Sequence, residues 1–329
     1  MDIIAIIISS TIVFAIPLLL GALAGMFSER SGVINIALEG IMIIGSLFAA
    51  VFLSTLVGDT EWAINHPQMA VFVSILVSGV AGGLFSLLLA YASIKLKANQ
   101  VISGTALNIF APAFAILLAY SVYGTTSDIS IPRFVRITPV LLGWNVSEWP
   151  SWIYTIVFKG LFLTTPVAII LLVVSFVVLY KTKFGLRLRA CGEHPSAADS
   201  VGVKVIRMRY IGVAISGFLA GIGGFAFSLV NGLTHNPDVL GYGFLALAVM
   251  IFGNWKPFRI LFAALFFSFF KTIAVVSSTL DFFPTFGLRY VENLYFILPY
   301  VITLLVLVFT SKQSRAPKAE GIPYDPGKR

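Results

Sequence analysis

A single cysteine in 329 residues, Cys191, excludes an intramolecular disulfide. The three histidines, His66, His194 and His235, fall in three separate loops, so no metal cluster is expected. Charged residues make up 11% of the chain, where a soluble domain carries about 25%. No G-x-x-x-x-G-K-[ST] phosphate loop, H-E-x-x-H pair or G-x-S-x-G elbow is present. These absences argue against an enzyme. They leave no catalytic residue, no metal ligand and no cofactor site of the chain's own to expect. The first residues, MDIIAIII, lack the basic start of a signal peptide, and the apolar run that follows is too long for one, so they read as an uncleaved first span.

Long apolar runs are what the chain has instead. Hydrophobic residues make up 58% of it, and the runs cover 3–27, 33–57, 69–94, 99–122, 161–180, 208–231, 242–253, 258–279 and 290–310. A membrane crossing needs about 20 residues of helix. The fold class is therefore all-α, a polytopic membrane bundle of about nine or ten transmembrane helices. The domain layout is a membrane domain over 1–310 and a polar tail over 311–329. Run 242–253 is short for a crossing and reads either as a tilted span or as a half-helix, which needs protein or a cavity around its irregular backbone. A break near Pro17 to Gly21, or in the 28–32 turn, would raise the count of crossings.

Basic residues orient the spans. With 28–32, 95–100, 181–209, 253–260 and the tail inside, 17 of the 22 Lys and Arg fall on one side, as the positive-inside rule requires. The net charge of +8 therefore reflects topology and anionic lipid rather than nucleic-acid binding. The loop 181–209 is the only long basic loop between spans and reads as a docking element. The external loop 123–160 carries Trp144, Trp149, Trp152 and Tyr154, either as an interfacial belt or as a platform for a partner. The proline-rich tail reads as loosely ordered.

Two runs carry small residues every fourth position: Ser74, Ser78, Gly82, Ser86 and Ala90, then Gly212, Ser216, Ala220, Gly224 and Ser228. Such stripes let helices approach closely; they also allow sliding. Polar residues inside spans are costly and should face protein or water. Asn35 and Glu39, four apart, are expected on one helix face. With Ser103 and Asn108 they are the candidate lining of a polar path, or else glue between helices. Lys271 is expected to snorkel to the outer surface.

Three stretches carry a resemblance. GMFSERSGVINIALEGIMIIGSLFAA (25–50), RACGEHPSAADSVGVKVIRMRY (189–210) and GYGFLALAVMIFGNWKP (241–257) are similar, in order, to permeases of ABC importers for branched-chain amino acids, ribose and nucleosides. SERSGVINIALEG resembles the nucleoside branch, whose binding protein is a basic membrane lipoprotein. The resemblance implies a type II ABC-importer-like permease in the bacterial plasma membrane. It implies separate cytoplasmic ATPase subunits that hold ATP and Mg2+, a second related permease, an extracellular binding lipoprotein and a nucleoside substrate. Matching positions place Gly192, Glu193, Pro195, Ala197, Ala198 and Gly202 in the loop that couples to the ATPase. His194 stands where an Asn is commoner. Pro195 is suited to start a short helix there. The residues alone also leave open a secondary transporter of a small polar solute driven by an ion gradient, an ABC permease for a sugar or other solute, and a membrane scaffold.

Overall fold

A computed structural model describes residues 2–58, 60–124, 128–137, 139, 149–158, 160–277 and 315–325, with single positions between 297 and 308. The run 290–310 lies outside the described residues apart from those single positions, and Trp144 lies outside them altogether. Among the described residues, seven helices are long and apolar enough to cross a membrane. They are α1 (Asp2–Arg30), α2 (Leu38–Val51, prolonged by a π-helical stretch to Val57), α4 (Pro67–Ala90, prolonged likewise to Lys95), α5 (Gln100–Tyr123), α7 (Thr164–Lys181), α10 (Val205–Val230) and α12 (Pro257–Ser277). Short helices α3 (Glu61–Asn65), α6 (Ser151–Phe158), α8 (Lys183–Glu193), α9 (Pro195–Ser200) and α11 (Tyr242–Phe252) complete the described set. Every expected run among the described residues forms a helix, although 33–37 is irregular backbone ahead of α2. α1 passes through Pro17 unbroken.

α10 is the axis of the bundle, packing most extensively on α4, α1 and α2. The small-residue stripes explain why. A Cβ on Gly82 would stand 2.8 Å from the Gly221 Cα, and one on Gly221 would collide with the Ser78 carbonyl oxygen. Gly45 of α2 meets the same Gly221. Three backbones therefore touch at one point. The close approach is a packing device.

At one end of the bundle, strand β1 (Ile129–Ser130) pairs antiparallel with β2 (Thr234–His235). At the opposite end lie the end of α1, the α8–α9 arm, the α11–α12 turn and the tail.

Three expectations are corrected. The tail is not loose over 315–325: the Ala319 N–H donates to the Gly192 carbonyl at 2.8 Å, the Gly321 N–H to the Gly32 carbonyl at 3.3 Å, and Lys97 pairs with Asp325 at 3.1 Å. Polar composition concealed these contacts because each partner is distant in sequence. Asn35 does not share a helix face with Glu39, since α2 begins only at Leu38. Lys271 is half-buried, and its ammonium lies 6.0 Å from the centre of the Tyr242 ring, within the bundle; an aromatic face attracts a cation that lipid would not.

Candidate functional site

The junction between α1 and α2, residues 31–37, is irregular backbone that other elements satisfy. Ser28 Oγ donates to the Val33 carbonyl at 2.7 Å, and the Ile34 N–H donates to Gln100 Oε1 at 2.7 Å. Asn108 Nδ2 donates to the Ile36 carbonyl at 2.8 Å, while its Oδ1 accepts from the Gly40 N–H at 2.8 Å. Two amide side chains of α5 thus replace the helical bonds that this stretch gives up. Asn35 Nδ2 donates to Ser216 Oγ at 2.9 Å. Ser216 lies about 16 Å along α10 from its first residue, so the junction reaches well into the bilayer. Irregular backbone survives at such depth only when protein covers it, and Val33, Asn35 and Ala37 are all fully buried. Gly32 is required twice over. Its φ is +95°, and a Cβ there would stand 2.7 Å from Arg209 Nη2.

Glu39, in the first turn of α2, ties this junction to α11. Its Oε1 accepts from the Gly241 N–H at 2.8 Å, and its Oε2 accepts from the N–H groups of Gly243 at 2.6 Å and Phe244 at 3.3 Å. A carboxylate from another helix thereby caps the start of α11, where free N–H groups and the helix dipole favour negative charge. The short run is thus a half-helix of 11 residues. It starts at the depth of Glu39 and ends beside α1, where Trp255 Nε1 donates to Glu29 Oε2 at 2.6 Å. Gly243 admits the approach, because a Cβ there would stand 2.5 Å from the Glu39 Cα.

The four candidate path residues are therefore held unequally. Asn35, Glu39 and Asn108 converge on the α1–α2 junction. Ser103 stands apart, its hydroxyl bonded to the Asn99 carbonyl one turn back at 2.9 Å. Asn35 Oδ1, fully buried, has no partner among the described residues. Nearer the β1–β2 end, Ser46 Oγ lies 2.6 Å from His235 Nδ1 and 2.5 Å from Ser228 Oγ. Burial holds the His235 imidazole neutral, with its pKa pushed down to about 4. These three residues are scattered along the chain, as are Gln100, Ser216 and Arg209 around the junction, and no pattern joins them. Asn108, an amide set in an apolar span, is the signal that pointed there.

The α8–α9 arm carries the six candidate coupling residues together. Thr182 Oγ1 caps α8, accepting from the Gly185 N–H at 3.1 Å. Gly192 is buried under the Arg30 carbonyl, with which a Cβ would collide. Glu193 Oε1 lies 3.6 Å from Arg30 Nη1. Pro195 opens α9 as expected, and Gly202 closes its end with φ +83°. Ala198 packs inward, while Ser196, Ala197 and Val201 are exposed. Beside them, Arg187, Lys204 and Arg207 edge a hollow of about 310 Å³. The arm presents small and basic groups outward and is keyed to α1 inward, by Gly192 beneath the Arg30 carbonyl and by Glu193 beside the Arg30 guanidinium. Cys191 is buried within the arm, and burial pushes its thiol up to about 11.

Known proteins are similar to this chain over most or all of its length. Residues 7–307 match the family described as the permease component of the branched-chain amino acid transport system. The guanosine ABC transporter permease protein NupQ of Bacillus subtilis is 40% identical over 331 residues, covering 100% of this chain and 99% of that protein. The nucleoside ABC transporter permease protein NupC of Lactococcus lactis is 36% identical over 97% of this chain and 96% of its own length. A putative glucose ABC transporter permease, TsgC13 of Haloferax volcanii, is 30% identical over 83% and 78%. No solved structure matches. With its long apolar helices and its match over most of the chain, this is a multi-pass membrane protein that belongs to the family of branched-chain amino acid transport permease components.

Proposed function

We propose that this chain is the permease subunit of an ATP-driven importer of nucleosides. The observation that carries the reading is identity over essentially the full length to guanosine and nucleoside permeases. The chain has no phosphate loop, so separate ATPase subunits bind ATP and Mg2+ and dock on the α8–α9 arm through Ala197 and its neighbours. That places the arm and the tail in the cytoplasm and the β1–β2 end outside. An external binding lipoprotein delivers the solute there, and a second permease completes the path.

The arm turns ATPase closure into movement of α1 and α10, and the bundle rocks between outward and inward access. Asn35, Glu39, Ser103 and Asn108 lie along the path. Glu39 and Asn108 act as joints, and the unpartnered Asn35 Oδ1 is the acceptor available to a ribose hydroxyl or a base N–H. A sugar is the second reading, because one relative carries the name of a glucose permease.

Guanosine uptake by cells expressing the chain with its ATPase and second permease tests both readings. Uptake is expected to continue with ATP present and the proton gradient collapsed, and to be inhibited by unlabelled nucleosides but not by glucose. Glu39→Gln keeps the acceptor for Gly243 and Phe244 and is expected to keep substantial uptake. Loss of all uptake in Glu39→Gln, together with gradient dependence in the parent, rules out an ATP-driven importer.

A further inference from the structure

At the cytoplasmic end a cavity of about 700 Å³ opens between the end of α1, the α8–α9 corner, the α11–α12 turn and the tail. Its wall holds Arg30, Lys256, Arg315 and Lys318, with Glu193 as the one carboxylate among the lining residues. Glu193 is only loosely engaged, 3.6 Å from Arg30. Arg30 Nε is buried and has no hydrogen-bond partner among the described residues. Four cations around one hollow repel one another unless an anion joins them. The tail contributes two of them; its own Glu320 feels the charge of Arg30, but burial pushes that carboxyl's pKa up to about 7, so it offsets Arg30 only in part.

We propose that this cavity binds a phosphate-bearing anion, and that the anion pins the tail to the coupling arm. Charge, size and place suit such an occupant. Arginine and lysine together suit phosphate oxygens, the first as a fork and the second as a point charge. The volume falls within the usual range for a small-ligand pocket, about 300–1,000 Å³. It exceeds the needs of a bare phosphate and leaves room for a headgroup or a nucleoside. The cavity also lies at the end of the bundle formed by the end of α1, the α11–α12 turn and the tail, where basic residues meet anionic headgroups. Two sources share this chemistry: the headgroup of an anionic phospholipid, and a soluble nucleotide or inorganic phosphate. An occupant would bridge Arg30 and Lys256 to Arg315 and Lys318, joining α1 and the α11–α12 turn to the tail.

The test uses the full chain in nanodiscs. In one arm the bilayer contains phosphatidylglycerol, and native mass spectrometry counts lipid retained. In the other the bilayer is wholly zwitterionic, and guanosine monophosphate or inorganic phosphate is titrated with phosphorus NMR as the readout. Saturable binding in one arm identifies the source. The double variant Lys256→Gln with Lys318→Gln alters two exposed side chains and is expected to weaken that binding about 30-fold, at about 1 kcal/mol per cation. The control double variant Lys181→Gln with Lys183→Gln removes the same charge from the same membrane face and is expected to leave binding unchanged. Absence of saturable binding in both arms overturns the proposal. So does an equal loss in the two double variants, which would mean general surface charge, or no loss in either.

Discussion

α10 and α5 are nearly the same length, 26 and 24 residues, and similar in hydropathy, yet 78% of the apolar window of α10 is buried and only 17% of that of α5. Hydropathy therefore places a helix in the bilayer without saying where in the bundle it goes. Size and spacing decide that. α10 carries small residues at 212, 216, 217, 220, 221, 224 and 228 and accepts a backbone on several sides. α5 buries only Gln100 and a thin stripe of Gly104, Ala111, Ala115 and Ala119, and it is pinned to the junction by two amides. Its outer face, with Ile109, Leu117 and Tyr120 exposed, is left for lipid or for the second permease.

The largest effect that would break this contrast lies at Gly221. Gly221→Leu places a side chain where α2, α4 and α10 meet and is expected to cost about 3 kcal/mol or more, the upper end for overpacking. Yield and thermal melting of the purified variant measure this. Near-parental melting would mean the three backbones separate easily.

Asn108→Leu comes next. It leaves the Gly40 N–H and the Ile36 carbonyl without partners and is expected to lose about 1–3 kcal/mol, with slower uptake. Melting and transport assays follow both, and an unchanged melting temperature would show that α5 is held by its apolar stripe alone.

Smaller still is Leu117→Ala on the open face. It should change the melting of the isolated subunit by no more than about 0.5 kcal/mol. A drop limited to the two-permease complex would assign that face to the partner, whereas a large drop in the isolated chain would refute the picture of an unpacked α5.

Confined to the tail is an effect that depends on pH. The Glu320 carboxyl has a pKa raised by burial to about 7 in the docked tail, against about 4.3 when exposed. The docked state therefore holds its proton longer than the released one. Docking is strongest below the lower value and weakens as pH rises to about 7. Hydrogen exchange at the Ala319 and Gly321 amides should quicken, relative to chemical exchange, from pH 5 to pH 8. Glu320→Gln should flatten that trend, and an unflattened trend would place the titrating group elsewhere.

Much of this was legible in the sequence. Apolar runs located every long helix among the described residues, the four-residue stripes located the tight contacts, and Pro195 marked the start of α9. The apolar letters of 33–37 hid an extended junction, because periodicity does not register backbone whose hydrogen bonds are supplied by another helix. Glu39 stood out as costly, but the three N–H groups that make it affordable lie about two hundred residues away. The tail read as loose because its partners, Gly32, Gly192 and Arg209, are scattered along the chain.

Arg209 has a consequence for how the protein is made. The guanidinium is 1% exposed, and Nη1 donates to the Ile322 carbonyl at 2.9 Å, across 113 residues of sequence. Its Nε and Nη2 have no partner among the described residues. During synthesis at about 5–20 residues per second, that acceptor emerges roughly 6–23 s after Arg209 itself. In the interval the guanidinium lacks the carbonyl it will hold. The last stretch of the chain to be made therefore supplies the acceptor for a cation buried in its middle, so this contact closes only after the helices around Arg209 have been synthesised.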